Sequence, residues 1–293
     1  MSVTPRPAGG RATLGAMRRL PGLVLALVVG CGGSTSAPID SAALPIDASP
    51  DAASSCSEPF PAVPAPPAPP YAGTAFLDPD IITATDPTSF VGLTANGQAV
   101  RTMFDRRTAS FNQVNAWLFD ARFGTTVTVE IQVNPEFTAA EAETEARFYA
   151  AAVGRIPAFL FRDIRTFWIH KGVYPFGGGN DNLLIHTGQG ADYVAGGWLE
   201  EIFVHEASHT SLDASHAASA RWIAAQEADG TFISTYARDN PTREDVGETM
   251  VPYVALRFRS DRVDAATLAA IRGAIPSRLA YLDCLNLTFA PVP

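Results

Sequence analysis

The sequence predicts an α+β body: a small mixed sheet packed on a histidine-bearing helix, with a helical C-terminal half. Three observations predict it. Thr125–Phe137, "TTVTVEIQVNPEF", is β-branched and alternates with period two. An alanine-rich segment with a cap signal follows directly. Two more short apolar runs then precede "WLEEIFVHEASHTSLDASH", where apolar residues recur at three-to-four spacing.

In chain order, the alternating run 125–137 is the first strand. Residues 138–157 form a helix, because Thr138 with Glu141 makes a capping box and Gly154 and Pro157 stop it. "IRTFWIHKG" (164–172) reads as a second strand and "NLLIHTG" (182–188) as a third. The glycine-rich "FGGGNDN" between them lacks the placement of a phosphate loop and reads as a turn. "TGQGADYVAGG" reads as a flexible lead into a helix carrying Leu199, Ile202 and Phe203 on one face. "DASHAAS" breaks that helix, and a further helix ends near Gly230. A last one begins at Thr242, capped by Thr242 with Asp245 and kinked at Pro252.

The N-terminus carries no such pattern. "MRRLPGLVLALVVGC" (17–31) has a basic start and an apolar run too short to span a bilayer, so residues 1–30 read as a signal peptide starting better at Met17 than at Met1. "VVGC" resembles the lipobox of bacterial lipoproteins, which implies lipidation of Cys31 and an exported, membrane-anchored protein. Residues 31–70, rich in Ala, Pro, Ser and Asp, read as a disordered tether, and 71–293 as the folded domain. Loss of residues 1–30 removes four arginines and no acid, taking the net charge from −9 to −13. That balance argues against nucleic acid as a partner. With Cys31 lipidated, Cys56 and Cys284 remain as a plausible disulfide. Oligomeric state is not legible.

The chemistry-bearing pattern is His205-Glu206-Ala-Ser-His209. Histidines four apart on a helix project from one face and hold one metal ion between them. Glu206 is turned about 100° from His205, which suits it to accept a proton from a metal-bound water rather than to coordinate. A third ligand is needed. Asp213 lies eight residues from His205, a rise of about 12 Å, too far for ligands about 2.0–2.2 Å from one ion. It reads as a hydrogen-bond acceptor for a histidine ring. His216 would serve only if the helix breaks after His209. Downstream, Glu244 and Glu248 lie four apart, so a second helix could bring either carboxylate to the ion while the other supports a ligand histidine.

These segments resemble the gluzincin-type zincin metallopeptidases. "HEASH" followed 35 residues after His209 by Glu244 in "YARDNPTREDVGE" is similar to the catalytic domains of the anthrax lethal factor family. The resemblance covers roughly Leu199 to Arg257. It implies a zincin-like domain with Zn2+ on His205, His209 and Glu244, Glu206 as general base, Glu248 as support and Tyr236 as an oxyanion donor. The loop from Tyr236 to Glu244 is one residue longer than in that family. The metzincin pattern fails, since it needs a glycine at Leu212 and a histidine at Ser215. The expected activity is hydrolysis of peptide or protein substrates, most simply as an endopeptidase. The competing expectation is a non-catalytic binding or assembly module on the same scaffold. His170 reads as a surface or turn residue. His186, by the zincin resemblance, lines the substrate groove. Trp117, Trp168, Trp198 and Trp222 read as core or groove-wall residues.

Overall fold

The structure, a computed structural model, describes residues 60, 64, 66, 68–77 and 81–290. The expected signal peptide, Cys31, Cys56 and almost all of the expected tether lie outside the described residues. Of the tether residues that are described, Phe60 is partly buried against the core.

The fold is α+β. Six strands form one mixed sheet in the order β1-β2-β3-β4-β6-β5. They are β1 (Phe90–Asp105), β2 (Ser110–Phe123), β3 (Val127–Val133), β4 (Thr166–His170), β5 (Gly177–Gly179) and β6 (Asn182–His186). Helix α1 (Ala139–Val153) lies between β3 and β4, and α2 (Thr187–Gly196) and α3 (Leu199–Ser211) follow β6. The C-terminal part is helical among the described residues: α4 (Asp213–His216), α5 (Ala220–Asp229), α6 (Thr235–Asp239), α7 (Asp245–Phe258), α8 (Ala265–Ala274) and α9 (Pro276–Asp283).

The alternation of β3 sets the layers. The paired row Phe119, Ile131, Phe167 and Leu183 belongs to the main core with the helices. The next row, Leu118, Gln132, Trp168 and Leu184, points the other way. There Leu118 joins Met103 and Ala116 in a second cluster, with Trp168 packed on it. The strands β1 and β2 supply this second layer, and neither was expected from the sequence. Much of β1 is exposed and shows no clean alternation.

Three local expectations are corrected. "TGQGADYVAGG" is helix α2, ended by Gly197 in the left-handed region. Its glycines lower helix propensity, but a Cβ at Gly190 would lie 2.1 Å from the Tyr149 hydroxyl, so packing demands one there. "FGGGNDN" is a strand as well as a turn: β5 pairs antiparallel with β6, and Asn180 and Asp181 between them have φ of 52° and 58°. Two positive φ values make the hairpin turn that matches strand twist. Helix α7 starts at Asp245, with Glu244 at its N-cap position and no side-chain cap. It runs on past Pro252 as one helix.

The two histidines on strand ends are also relocated. His170 is 1% exposed and His186 is fully buried. They pair across β4 and β6 and their rings stack at 5.4 Å. Neither is a surface or groove residue. Burial pushes His170 down to about 4, against the pull of nearby Asp105. It pushes His186 down too, against a hydrogen bond to the Lys171 carbonyl.

The C-terminal helices are joined by a buried charge cluster. Arg278 on α9 is fully buried. Its guanidinium donates to Asp229 Oδ2 at 2.8 Å, to Asp245 Oδ1 at 2.5 Å and to the Thr231 carbonyl. Gln226 donates to the other oxygen of Asp245. This fixes the first residue of α7, next to Glu244.

Arg278→Ala should therefore destabilise the fold by about 3–5 kcal/mol, because two carboxylates stay buried unpaired. Arg257→Ala, which breaks the half-exposed pair with Asp283, should cost under about 1 kcal/mol. Denaturant melts of both variants check the contrast, and equal costs would refute it. The buried histidines give a pH prediction. Above the unfolded value of about 6.5 His170 is neutral in both states. As pH falls from there towards about 4, the unfolded chain takes up a proton that the folded one refuses, so stability is lost. Urea midpoints should fall over that window and fall less in His170→Gln; equal slopes would contradict it.

Candidate metal centre

Helix α3 forms because apolar positions recur along the face it buries. Leu199, Phe203 and Val204 are all 3% exposed or less. Two carboxylates in its first turn are matched rather than free: Arg155 pairs with Glu200 at 3.0 Å, and the Leu77 amide donates to Glu201 at 3.0 Å. The helix presents His205 and His209 towards α7. Their Nε2 atoms lie 3.0 Å apart.

Helix α7 closes the site. Glu244 Oε2 lies 3.2 Å from His209 Nε2 and 3.6 Å from His205 Nε2. The three ligand atoms thus form a triangle with sides of 3.0, 3.2 and 3.6 Å. A tetrahedral ion with bonds of about 2.0–2.1 Å has ligand–ligand edges of about 3.3 Å. The triangle fits such an ion with one position left over. Together His205, His209 and Glu244 could hold a metal ion.

His209 and Glu244 are hydrogen-bonded from behind, and His205 is backed by a carboxylate. His209 Nδ1 donates to Asp213 Oδ2 at 2.7 Å. His205 Nδ1 faces Glu248 Oε1 at 3.6 Å. Glu248 is itself fixed, since its Oε2 accepts from the Ala75 amide at 2.8 Å. Arg243 donates to Oε1 of Glu244 at 3.2 Å, leaving Oε2 to face the histidines. The phenol of Tyr236 lies beside Glu244; burial and that carboxylate push it up to about 12. Glu206 is half-buried next to His205, and no described residue hydrogen-bonds its carboxylate.

The electrostatics favour a cation. Burial would lower both histidines, but Glu244 outweighs it at His205, and Asp213 with Glu244 outweighs it at His209, so both rise. Burial would raise Glu244, but hydrogen bonds from both rings hold it well below the usual carboxylate range. The site without metal thus draws protons onto its imidazoles and keeps a carboxylate charged.

Comparison with family models, with curated proteins and with solved structures gives no match. The assignment of this centre therefore rests on its own geometry.

The structure brings together His205, His209, Glu244, Glu248, Asp213, Tyr236 and Glu206. His216 is elsewhere: its Nδ1 meets the Tyr281 hydroxyl at 2.6 Å. Cys284 is disulfide-bonded. The chain has two other cysteines, Cys31 and Cys56. Trp222 is core, and Trp198 stacks on Phe76 at 4.9 Å. Trp117 and Trp168 are half-buried on the sheet.

Sequence reasoning missed Gly247. A Cβ there would lie 3.1 Å from His205 Cε1 and from both Cε1 and Nε2 of His209. The bare position lets both rings sit against α7 without the crowding a side chain would bring. The available signal was a glycine inside a helical pattern, which marks a close approach. Arg243 and the Ala75 amide gave no signal.

Gly247→Ala gives the check. Helix propensity alone would stabilise the variant by about 1 kcal/mol. Crowding of both rings should instead weaken metal binding by tenfold or more, read by calorimetric titration of metal-free protein. Unchanged affinity with a raised melting temperature would refute the close-approach argument.

Proposed function

We propose that the chain is a zinc-dependent peptidase with a zincin-like fold, acting on peptide or protein substrates outside the cytoplasm. The observation that carries the reading is the His205–His209–Glu244 triangle with Glu206 beside it, its carboxylate hydrogen-bonded by none of the described residues. Two imidazoles and one carboxylate at tetrahedral spacing are a donor set suited to catalytic zinc. Calcium and magnesium prefer all-oxygen shells.

Bound zinc would supply a Lewis acid that polarises the scissile carbonyl and acidifies water. Glu206 accepts the proton of the attacking water. The water oxygen forms the new C–O bond, the C–N bond breaks, and Glu206 returns the proton to the departing amine. Tyr236, kept neutral by its raised pKa, donates to the oxyanion that develops. Asp213 orients the His209 imidazole through its Nδ1, and Glu248 sets a carboxylate 3.6 Å from His205 Nδ1.

Strand β5 lies at the edge of the sheet, and its Gly178 packs against the backbone carbonyl of Glu206. An extended peptide added to that edge would cross the site without needing a terminus nearby, which favours an endopeptidase. The disulfide at Cys284 supports an oxidising compartment. Lipidation of Cys31 would tether the domain to a membrane there. No helix among the described residues is long and apolar enough to cross one.

Glu206→Gln should keep one zinc per chain while cleavage of a denatured protein falls by about 10²–10⁴-fold. A chelator should abolish wild-type cleavage, and zinc should restore it. Stoichiometric zinc in a wild-type chain that cleaves nothing would instead support a non-catalytic binding module.

A further inference from the structure

Strand β5 is crowded from both faces, by groups of different character. On one face a Cβ at Gly178 would lie 1.8 Å from the Glu206 carbonyl oxygen, so α3 covers it. On the other face a Cβ at Gly177 would lie 2.8 Å from Nη2 of Arg106. Arg106 sits in the turn between β1 and β2 and is exposed. That turn reaches across the second face of the sheet to its far edge, where Arg106 Nη2 donates to the Phe176 carbonyl at 2.8 Å.

This is the only hydrogen bond of Arg106 among the described residues, and no described acid pairs with it. Its neighbour Arg107 is different, being held by Asp105 and by Glu136. Arg106 is thus anchored by one donor, with the rest of its five N–H groups available. A second observation ties it to the active centre. The Tyr193 hydroxyl, raised to about 12 chiefly by burial, feels the charges of both Glu206 and Arg106, in opposite directions.

We infer that Arg106 is a specificity-determining residue, which binds a carboxylate of a peptide laid along the free edge of β5 and so selects acidic substrates. The inference rests on the peptidase reading. Side chains of an extended peptide alternate between faces. Those on the α3 side approach the metal ligands; their neighbours lie on the side of Arg106. A guanidinium with spare donors takes a carboxylate in a bidentate pair. The carboxylate is either an Asp or Glu side chain or a free C-terminus, and the two are separable by experiment.

The test uses the zinc-loaded full chain carrying Glu206→Gln, so that peptides bind without turnover. Labelled decapeptides differ only in one Glu walked along a neutral sequence, each against its Gln counterpart, with amidated or free C-termini. Fluorescence anisotropy should show about tenfold tighter binding for Glu at one or two alternate positions. Arg106→Gln should bring that ratio to about one, Arg106→Lys should retain part of it, and Arg106→Glu should reverse it. A preference for the free acid alone assigns the C-terminus as the recognised carboxylate. A ratio unchanged in Arg106→Gln, or no binding of any peptide, overturns the inference. Cleavage of the same peptides by the wild-type chain is followed in parallel. Cleavage without a Glu preference overturns the inference and leaves the peptidase reading standing. Absence of cleavage overturns the peptidase reading, while Arg106-dependent binding still upholds carboxylate recognition.

Discussion

The site depends on the approach of two helices across a missing side chain. Helix α3 supplies His205 and His209, and α7 supplies Glu244 at its N-cap position. The ligand atoms meet within 3.0–3.6 Å where Gly247 lets the imidazoles rest close against the α7 backbone. A helix interior normally disfavours glycine. Here the local cost is offset by a close approach that a larger residue would crowd.

That approach would be repulsive or loose without the surrounding charges. Arg278 fixes Asp245, one residue from Glu244, from inside the core. Arg243 turns Glu244 from the solvent side. The segment at Ala75–Leu77 adds backbone amides to Glu248 and Glu201, tying α7 and α3 to one strap. Glu248 and His209 are thus held from other elements, by Ala75 and by Asp213, while Glu244 is held by its chain neighbour Arg243. The same arrangement leaves the Glu206 carboxylate without a hydrogen-bond partner among the described residues, which suits the proposed role as base.

How much of this was legible follows the range of the interactions. Helix α1 was readable at its start because its capping box is local: Thr138 and Glu141 bond each other's backbone. β3 was readable because one face of it is buried. β1 and β2 were not, since each draws its order from the partner strand across a hairpin rather than from its own pattern. The glycine-rich segments misled in two ways. In α2 the glycines serve packing against Tyr149 and Gly172, and in β5 they serve packing against Glu206 and Arg106. His170 and His186 looked polar and peripheral, but lie on a sheet face buried under a hairpin that the sequence did not announce. His205, Glu206 and His209 were legible because spacing on one helix is a local fact. The choice between Glu244 and Glu248 was not, because it depends on where α7 begins relative to α3.

The central claim is that one metal ion sits between His205, His209 and Glu244. Anomalous diffraction at the zinc edge from crystals of the metal-loaded protein tests it directly. The account predicts a single peak about 2.0–2.2 Å from His205 Nε2, His209 Nε2 and Glu244 Oε2, with Glu248 outside bonding distance. A peak coordinated by Glu248 or His216 in place of Glu244, or no peak at the triangle in protein soaked with zinc, would contradict it.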